Sequence, residues 1–247
     1  MSRVAVVTGG ASGMGLSICE HLARLGDRVA VLDVNGDAAR QAATNLEERG
    51  GQAMACAVDV SDRAAVEKAL AQVRGELGPI EIMVTCAAIA RWEGFAEISL
   101  ESWDRVLAVN LTGTFHCIQA AIPDMVAAGW GRVVTITSSA AQIGTSKNAH
   151  YNASKGGVVT LTRAVALEYA PLGITANTIS PHIVDTPMLR DARAKLGQPT
   201  GDGGASRIPV GRLGTGDDIA AACMYLCSKE ASYITGQLFG VNGGAVP

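Results

Sequence analysis

The sequence predicts an α/β protein with a mostly parallel, seven-stranded sheet, doubly wound, with helices on both faces. Two observations carry this. Apolar, β-branched runs alternate with amphipathic stretches of helical spacing along the whole chain. The first four runs also begin about 25 residues apart, the length of one strand plus one crossover helix. Strands are expected at Arg3 to Thr8, Arg28 to Asp33, Gln52 to Val58, Ile80 to Thr85, Gly131 to Thr137, Ile174 to Ile179 and Gln237 to Val241. Continuously apolar strands of this kind are buried on both faces. Helices are expected at Met14 to Leu25, Asp37 to Arg49, Arg63 to Leu77, Ser99 to Ala128 (interrupted only by Pro123), Tyr151 to Ala170 and Asp217 to Ser228. Pro171 and Gly173 end the fifth of these.

With 247 residues the length prior is about 1.6 domains. No linker, repeat or composition shift divides the chain, so a single domain over 1–247 is expected. Its one departure from the strand–helix rhythm is Pro181 to Arg212, rich in Gly, Pro and charge. A loop of that length in a compact domain is expected to be a substrate lid. The formal charge of -3 argues against a nucleic-acid or anionic-membrane partner. A hydrophobic content of 48% against 17% charged excludes a disordered chain. No continuous apolar run approaches the length of a membrane span, and the first strand begins at once, which leaves no room for a signal peptide. The six cysteines form no C-x-x-C pair and the four histidines show no ligand spacing. Reduced thiols in a cytoplasmic protein without a metal are expected, with Cys223 and Cys227 as core residues. The sequons at Asn110 and Asn152 are read as chance matches.

The segment Thr8-Gly9-Gly10-Ala11-Ser12-Gly13-Met14-Gly15 follows the first strand and opens the first helix. Glycines there admit a pyrophosphate close to the backbone, and the helix N-terminus stabilises its charge, the arrangement of a Rossmann-like fold. Its G-x-x-x-G-x-G spacing differs from the common dinucleotide fingerprint. Asp33 ends the second strand, where a carboxylate accepts ribose hydroxyls and repels a 2′-phosphate. With no Lys or Arg between Val29 and Asp37, NAD is favoured over NADP. Asp59-Val60 lies at the same sheet edge, where an acid can meet the adenine amino group. Tyr151 and Lys155 are four apart on one helix face, where an ammonium would lower the pKa of a phenol. Thr137-Ser138-Ser139 ends the fifth strand with hydroxyls in reach of a carbonyl beside that Tyr. Asn110 stands inside a helix, a position that suggests a side-chain role.

Together these motifs resemble the short-chain dehydrogenase/reductase family, in its single-domain NAD(P)-dependent type of about 250 residues. The resemblance spans the chain, from the Gly loop through Asp59-Val60, Asn110, Ser138 and Tyr151-x-x-x-Lys155 to Ile234-Thr-Gly-Gln and Gly243-Gly244. It implies a tetrad with Tyr151 as general acid/base and Lys155 lowering its pKa and holding the nicotinamide ribose. Ser138, rather than Ser139, bonds the reacting oxygen. Asn110 holds a helix kink and a water that relays protons through Lys155. It further implies cofactor contacts from Gly9, Ser12, Gly13, Met14, Gly15, Ala87, Val184 and Thr186, and a homotetramer. Two segments depart from the family pattern. Thr85-Cys86-Ala87-Ala88 replaces Asn-Asn-Ala-Gly, which adds a methyl at Ala88 near the cofactor. Pro181-His182 replaces Pro-Gly and brings His182 toward the nicotinamide. The expected function is an NAD-dependent oxidoreductase of secondary alcohols and ketones: small or cyclic alcohols, hydroxysteroid-like molecules or hydroxyacyl thioesters. A 3-oxoacyl-[acyl-carrier-protein] reductase is the alternative within the family. Those reductases carry basic residues before the fifth strand and after the Tyr helix, whereas Val126 to Trp130 and Pro171-Leu172 have none. A non-catalytic dinucleotide sensor or scaffold is the alternative outside it.

Overall fold

The computed structural model describes residues 2–195 and 204–246. Seven parallel strands form one sheet: β1 (Val4–Thr8), β2 (Arg28–Asp33), β3 (Gln52–Ala57), β4 (Ile82–Thr85), β5 (Gly131–Ile136), β6 (Ile174–Pro181) and β7 (Leu238–Val241). Their order is β3-β2-β1-β4-β5-β6-β7. Every residue of β1, β4, β5 and β6 is buried, as an inner strand covered on both faces requires. The chain winds outward from β1 in both directions, so β1 and β4 flank the switch point. In open α/β sheets ligands bind there, beyond the carboxyl ends of the strands.

One face carries α1 (Gly13–Arg24), α2 (Gly36–Glu48) and, far along the chain, α9 (Gly216–Leu226), packed through Ile18, Leu22, Leu46, Ile219 and Cys223. The other carries α3 (Arg63–Glu76), α5 (Gly113–Ala128) and α7 (Ala149–Tyr169), through Leu70, Val73, Ile118, Met125 and Ala166. Capping follows the sequence. Asn35 and Asp62 accept N–H groups in the first turns of α2 and α3, and Thr215 and Asp218 form a reciprocal capping box on α9. Ser17 donates to Asp217 at 2.7 Å, which fastens α9 onto α1.

Two expectations are corrected here. The Ser99 to Ala128 stretch does not break at Pro123, which lies inside α5 at an exposed position, so the carbonyl it leaves without a donor is on the solvent side. It divides instead at a π-helical turn, Ala108–Thr112, between α4 (Leu100–Leu107) and α5, and Asn110 is the fully buried centre of that turn. Nor is Pro181 to Arg212 a continuous loop. It contains α8 (Pro187–Lys195), which begins with a Pro at its first position, and a short 3₁₀ turn, Ala205–Arg207. Residues 196–203 of the expected lid lie outside the described residues. The Leu100–Ala128 run is long and apolar enough to cross a membrane by length and composition (mean hydropathy 1.2), a feature the reading of continuous apolar runs passed over. Half of its most apolar 18 residues are buried within the protein, as in a core helix. All six cysteines are free, and no cluster of three metal-ligating side chains occurs among the described residues.

Candidate active site

The Gly loop is built by contact. A Cβ on Gly15 would lie 2.1 Å from the Gly9 carbonyl oxygen, and one on Gly9 2.9 Å from the Ala87 backbone. Gly9 and Gly13 also take positive φ values. The buried Thr8 hydroxyl accepts the N–H groups of Cys86 and Ala87, both at 3.2 Å, and so clamps the post-β4 segment to the end of β1. Ser12 caps α1 with extended backbone but makes no side-chain capping bond, and no acid occupies the first turn. The N-terminal N–H groups of α1 thus face a groove of about 250 Å³ with no negative side chain at the helix end. A dinucleotide pyrophosphate fits such a cradle.

Gly9, Ser12, Gly13, Met14, Asp33, Asp59, Val60, Ala87 and Thr186 line this groove. Gly15 stands behind the loop. Asp33 accepts from the N–H groups of Ala11 (3.2 Å) and Asn35 (3.0 Å), which fixes its carboxylate at the groove edge. Asp59 lines the groove at the sheet edge, with its carboxylate already bonded within the protein. Its carboxylate is engaged by Ser61 (2.7 Å to the hydroxyl) and by Arg105 (2.8 Å). Partial burial pushes its pKa up, but the Ser61 hydrogen bonds and the Arg105 guanidinium outweigh this and hold it below the usual carboxylate range. Arg105, on α4, closes this end of the groove and had no signal in motif spacing. Ala88 and Cys86 line the groove as well, so two of the three departures in this segment face the ligand space.

A second cavity of about 220 Å³ adjoins the first, with Met14, Thr186 and Met188 in both walls. Ser138, Tyr151, His182 and Val184 line it. The Tyr151 phenol lies beside the Ser138 hydroxyl, which draws its pKa down. Lys155 lies one turn further along α7, buried, with Nζ donating to the Ile136 carbonyl at 2.8 Å and 5.8 Å from the Tyr151 ring centre. Ser139 lines the same cavity with a different partner. Its buried hydroxyl pairs with His182 Nδ1 at 2.8 Å, while its N–H donates to Pro181. The pKa expectation for the phenol is corrected. Burial raises the Tyr151 pKa, and the Ser138 hydroxyl offsets only part of this. Burial also lowers the Lys155 ammonium to about 8. Desolvation acts on both groups and disfavours both charges. The Cys86 thiol beside them is pushed up to about 11 by its own burial, against the pull of Lys155.

Asn110 does not hydrogen-bond Lys155 among the described residues. Its Oδ1 accepts from Ile89 N–H at 2.8 Å, and its Nδ2 donates to the Ile89 carbonyl and the Ser154 hydroxyl, each at 3.0 Å. It ties the segment after β4 to α7. Val184 pairs with Gly214 in an isolated bridge. Thr186 accepts from the Leu189 N–H at 3.3 Å at the start of α8, and its methyl faces Gly13. Asn148, three residues before Tyr151, lines the second cavity and was missed, although the i, i+3 relation to Tyr151 is legible in the sequence.

The enoyl-(acyl carrier protein) reductase family model matches residues 9–246. The chain is 39% identical to D-threitol dehydrogenase of Mycolicibacterium smegmatis, over 98% of its length and 92% of the relative. It is 36% identical to 2-dehydro-3-deoxy-L-rhamnonate dehydrogenase (NAD(+)) of Sphingomonas sp., over 98% of its length and 94% of the relative. Among solved structures, a variant of actinorhodin polyketide ketoreductase with NADPH superposes with a TM-score of 0.92 at 34% identity, covering 99% of this chain and 97% of that one. Sequence, sheet order and the paired cavities agree, and the chain belongs to the short-chain dehydrogenase/reductase family of oxidoreductases.

Proposed function

We propose that the protein is an NAD-dependent dehydrogenase that interconverts a secondary alcohol and its ketone. The observation that carries this is the Ser138–Tyr151–Lys155 cluster, in which Lys155 is buried and Ser138 and Tyr151 are half-buried, opening on a small cavity that shares a wall with the dinucleotide groove. A bound nicotinamide supplies the hydride chemistry. Tyr151 gives or takes the hydroxyl proton of the substrate, and Ser138 holds the reacting oxygen beside it. Lys155, already easily deprotonated, exchanges charge with the phenol and reaches the ribose. Asn110 holds the wall formed by the Ile89 segment. Both relatives described above carry a dehydrogenase name, which supports the reaction class. One is named for NAD(+) and the solved ketoreductase holds NADPH, so the preference for NAD rests on Asp33 at the groove edge. A cavity of about 220 Å³ and the lack of basic residues at Val126 to Trp130 and Pro171-Leu172 favour a free small molecule over a carrier-bound acyl chain.

Reduction of NAD over a panel of secondary alcohols tests this reading together with Tyr151→Phe. That variant keeps the ring and its packing, so NADH binding persists while turnover falls by at least about 10²-fold. Near-normal turnover would assign the proton to another group. We also propose a cytoplasmic homotetramer without membrane association. Free thiols support the compartment. Exposed apolar side chains at Leu100, Phe115 and Val126 on α4 and α5, and at Leu167 on α7, support the assembly. A monomer in light scattering at micromolar protein overturns the assembly.

A further inference from the structure

The cavity beside Tyr151 holds two polar groups that the proton chemistry does not use. The first is Asn148. It is 3% exposed, and its Oδ1 is buried with no hydrogen-bond partner. It stands at the N-cap of α7 without making a capping bond, although Asn is among the residues best suited to cap. A buried acceptor without a donor is costly and rare, so its position calls for a ligand. Its placement is enforced. Lys147, just before it, takes a left-handed φ of 57°, a conformation rare for residues with a side chain. The Lys147 carbonyl is held by Glu93 N–H at 2.9 Å. Thr145 is fastened to Asn152 by two bonds of 2.8 Å. Backbone outliers of this sort persist where the surroundings impose them, and they cluster at ligand sites.

The second group is His182. The buried Ser139 hydroxyl pairs with Nδ1 at 2.8 Å, and either atom can be the donor. Nε2 has no partner among the described residues, and in the tautomer where Nδ1 accepts, Nε2 carries the ring proton and is a donor. His182 and Asn148 thus stand in the wall of one cavity, each with a polar atom that has no partner among the described residues. A hydroxyl is donor and acceptor at once. Asn148 and Tyr151 stand one helical turn apart on α7, and Ser139 follows Ser138, so the pair sits next to the place where the reacting oxygen is held.

From this we infer that Asn148 and His182 read a second hydroxyl, on the carbon adjacent to the reacting carbinol, so that the substrate is a vicinal diol or polyol. The inference rests on the dehydrogenase reading and narrows its substrate. An alcohol lacking that hydroxyl leaves Asn148 unpaired, and a site built to bond a hydroxyl discriminates strongly against the analogue without it.

The test compares kcat/KM for 2,3-butanediol with 2-butanol, and for 1,2-cyclohexanediol with cyclohexanol, in the parent, Asn148→Ala and His182→Gly. His182→Gly leaves α7 untouched should Asn148→Ala fold poorly. The parent is expected to favour the diol of each pair by at least about tenfold. Each variant is expected to cut that ratio at least about fivefold, by slowing the diol alone. A ratio near one in the parent, or variants that slow both members of a pair equally, overturns the inference while leaving the dehydrogenase reading intact. Turnover of neither pair by the parent overturns both.

Discussion

Removal of the Asn110 side chain gives the most direct check on how the cofactor groove is held. Asn110→Ala deletes three hydrogen bonds at once, two of them to the main chain of Ile89 and one to Ser154. Ser154 keeps its bond to the Tyr151 carbonyl, so its loss is small. The Ile89 N–H and C=O are half-buried and find no replacement from an alanine. Leaving a buried main-chain group unpaired costs roughly 1–3 kcal/mol, and partial exposure places each of these at the low end, for a sum of about 2–3 kcal/mol. For a domain of this size, each kcal/mol lowers Tm by roughly 2–4 °C, so a fall of about 4–12 °C is expected. The effect also reaches function, because Ile89 and its neighbours Ala87 and Ala88 line the groove. The Kd for NADH, read by fluorescence titration, should rise severalfold in the same variant. Thermal unfolding within 1 °C of the parent, with unchanged NADH affinity, would refute the account of Asn110 as the tie between the β4 segment and α7.

Two further outcomes follow from charge. Asp33 at the groove edge opposes a 2′-phosphate, so kcat/KM for NADH should exceed that for NADPH by at least about tenfold, the scale of one like-charge contact. Asp33→Ala combined with Val34→Arg should narrow or reverse the preference, and equal use of both cofactors by the parent contradicts the reading. Lys155→Met should damage turnover and NADH affinity yet stabilise the fold at pH 7. Burial lowers the native ammonium pKa to about 8 from 10.5, so between those values the unfolded chain binds more protons than the native one. Parent stability then rises with pH relative to the variant. Below pH 8 the cost of the buried charge is present in full, on the order of 3 kcal/mol. The lead of Lys155→Met in urea midpoint should therefore shrink from pH 7 to pH 9.5, and a constant gap would count against the buried ammonium.

The alternation of apolar runs was enough to place all seven strands to within about two residues, because strands buried on both faces leave an uninterrupted apolar signal. The Gly loop was equally legible, since only glycine fits where Gly15 meets the Gly9 carbonyl. The π turn was not. Pro123 is the local signal for a helix break, but the chain tolerates it on an exposed face and spends its irregularity at Asn110, where the bonds to Ile89 are long-range and invisible in a local window. The engagement of Asp59 by Arg105 was hidden for the same reason, since 46 residues separate them. Helix α8 went unseen because its short sequence is dominated by charge. The Tyr151 expectation failed on a balance of magnitudes. Spacing puts Lys155 near the phenol, but in the structure burial raises the Tyr151 pKa and the lowering influence comes from Ser138.

The placement of α9 on α1 bears on the order in which the molecule is made. Helix α1 carries the anion-binding end of the groove and is among the first segments synthesised, yet Asp217, its hydrogen-bonding partner for Ser17 and His21, comes about two hundred residues later. A nascent chain that has already assembled β1 to β5 still leaves this helix face bare. Contacts of such separation slow folding and leave apolar surface exposed to chaperones meanwhile. A chain stopped before Gly216 would keep every residue that lines the dinucleotide groove, yet its Gly loop would sit on a helix with no outer support. The helix behind the Gly loop thus gains its last contacts late in synthesis, from a segment that lines no part of the groove.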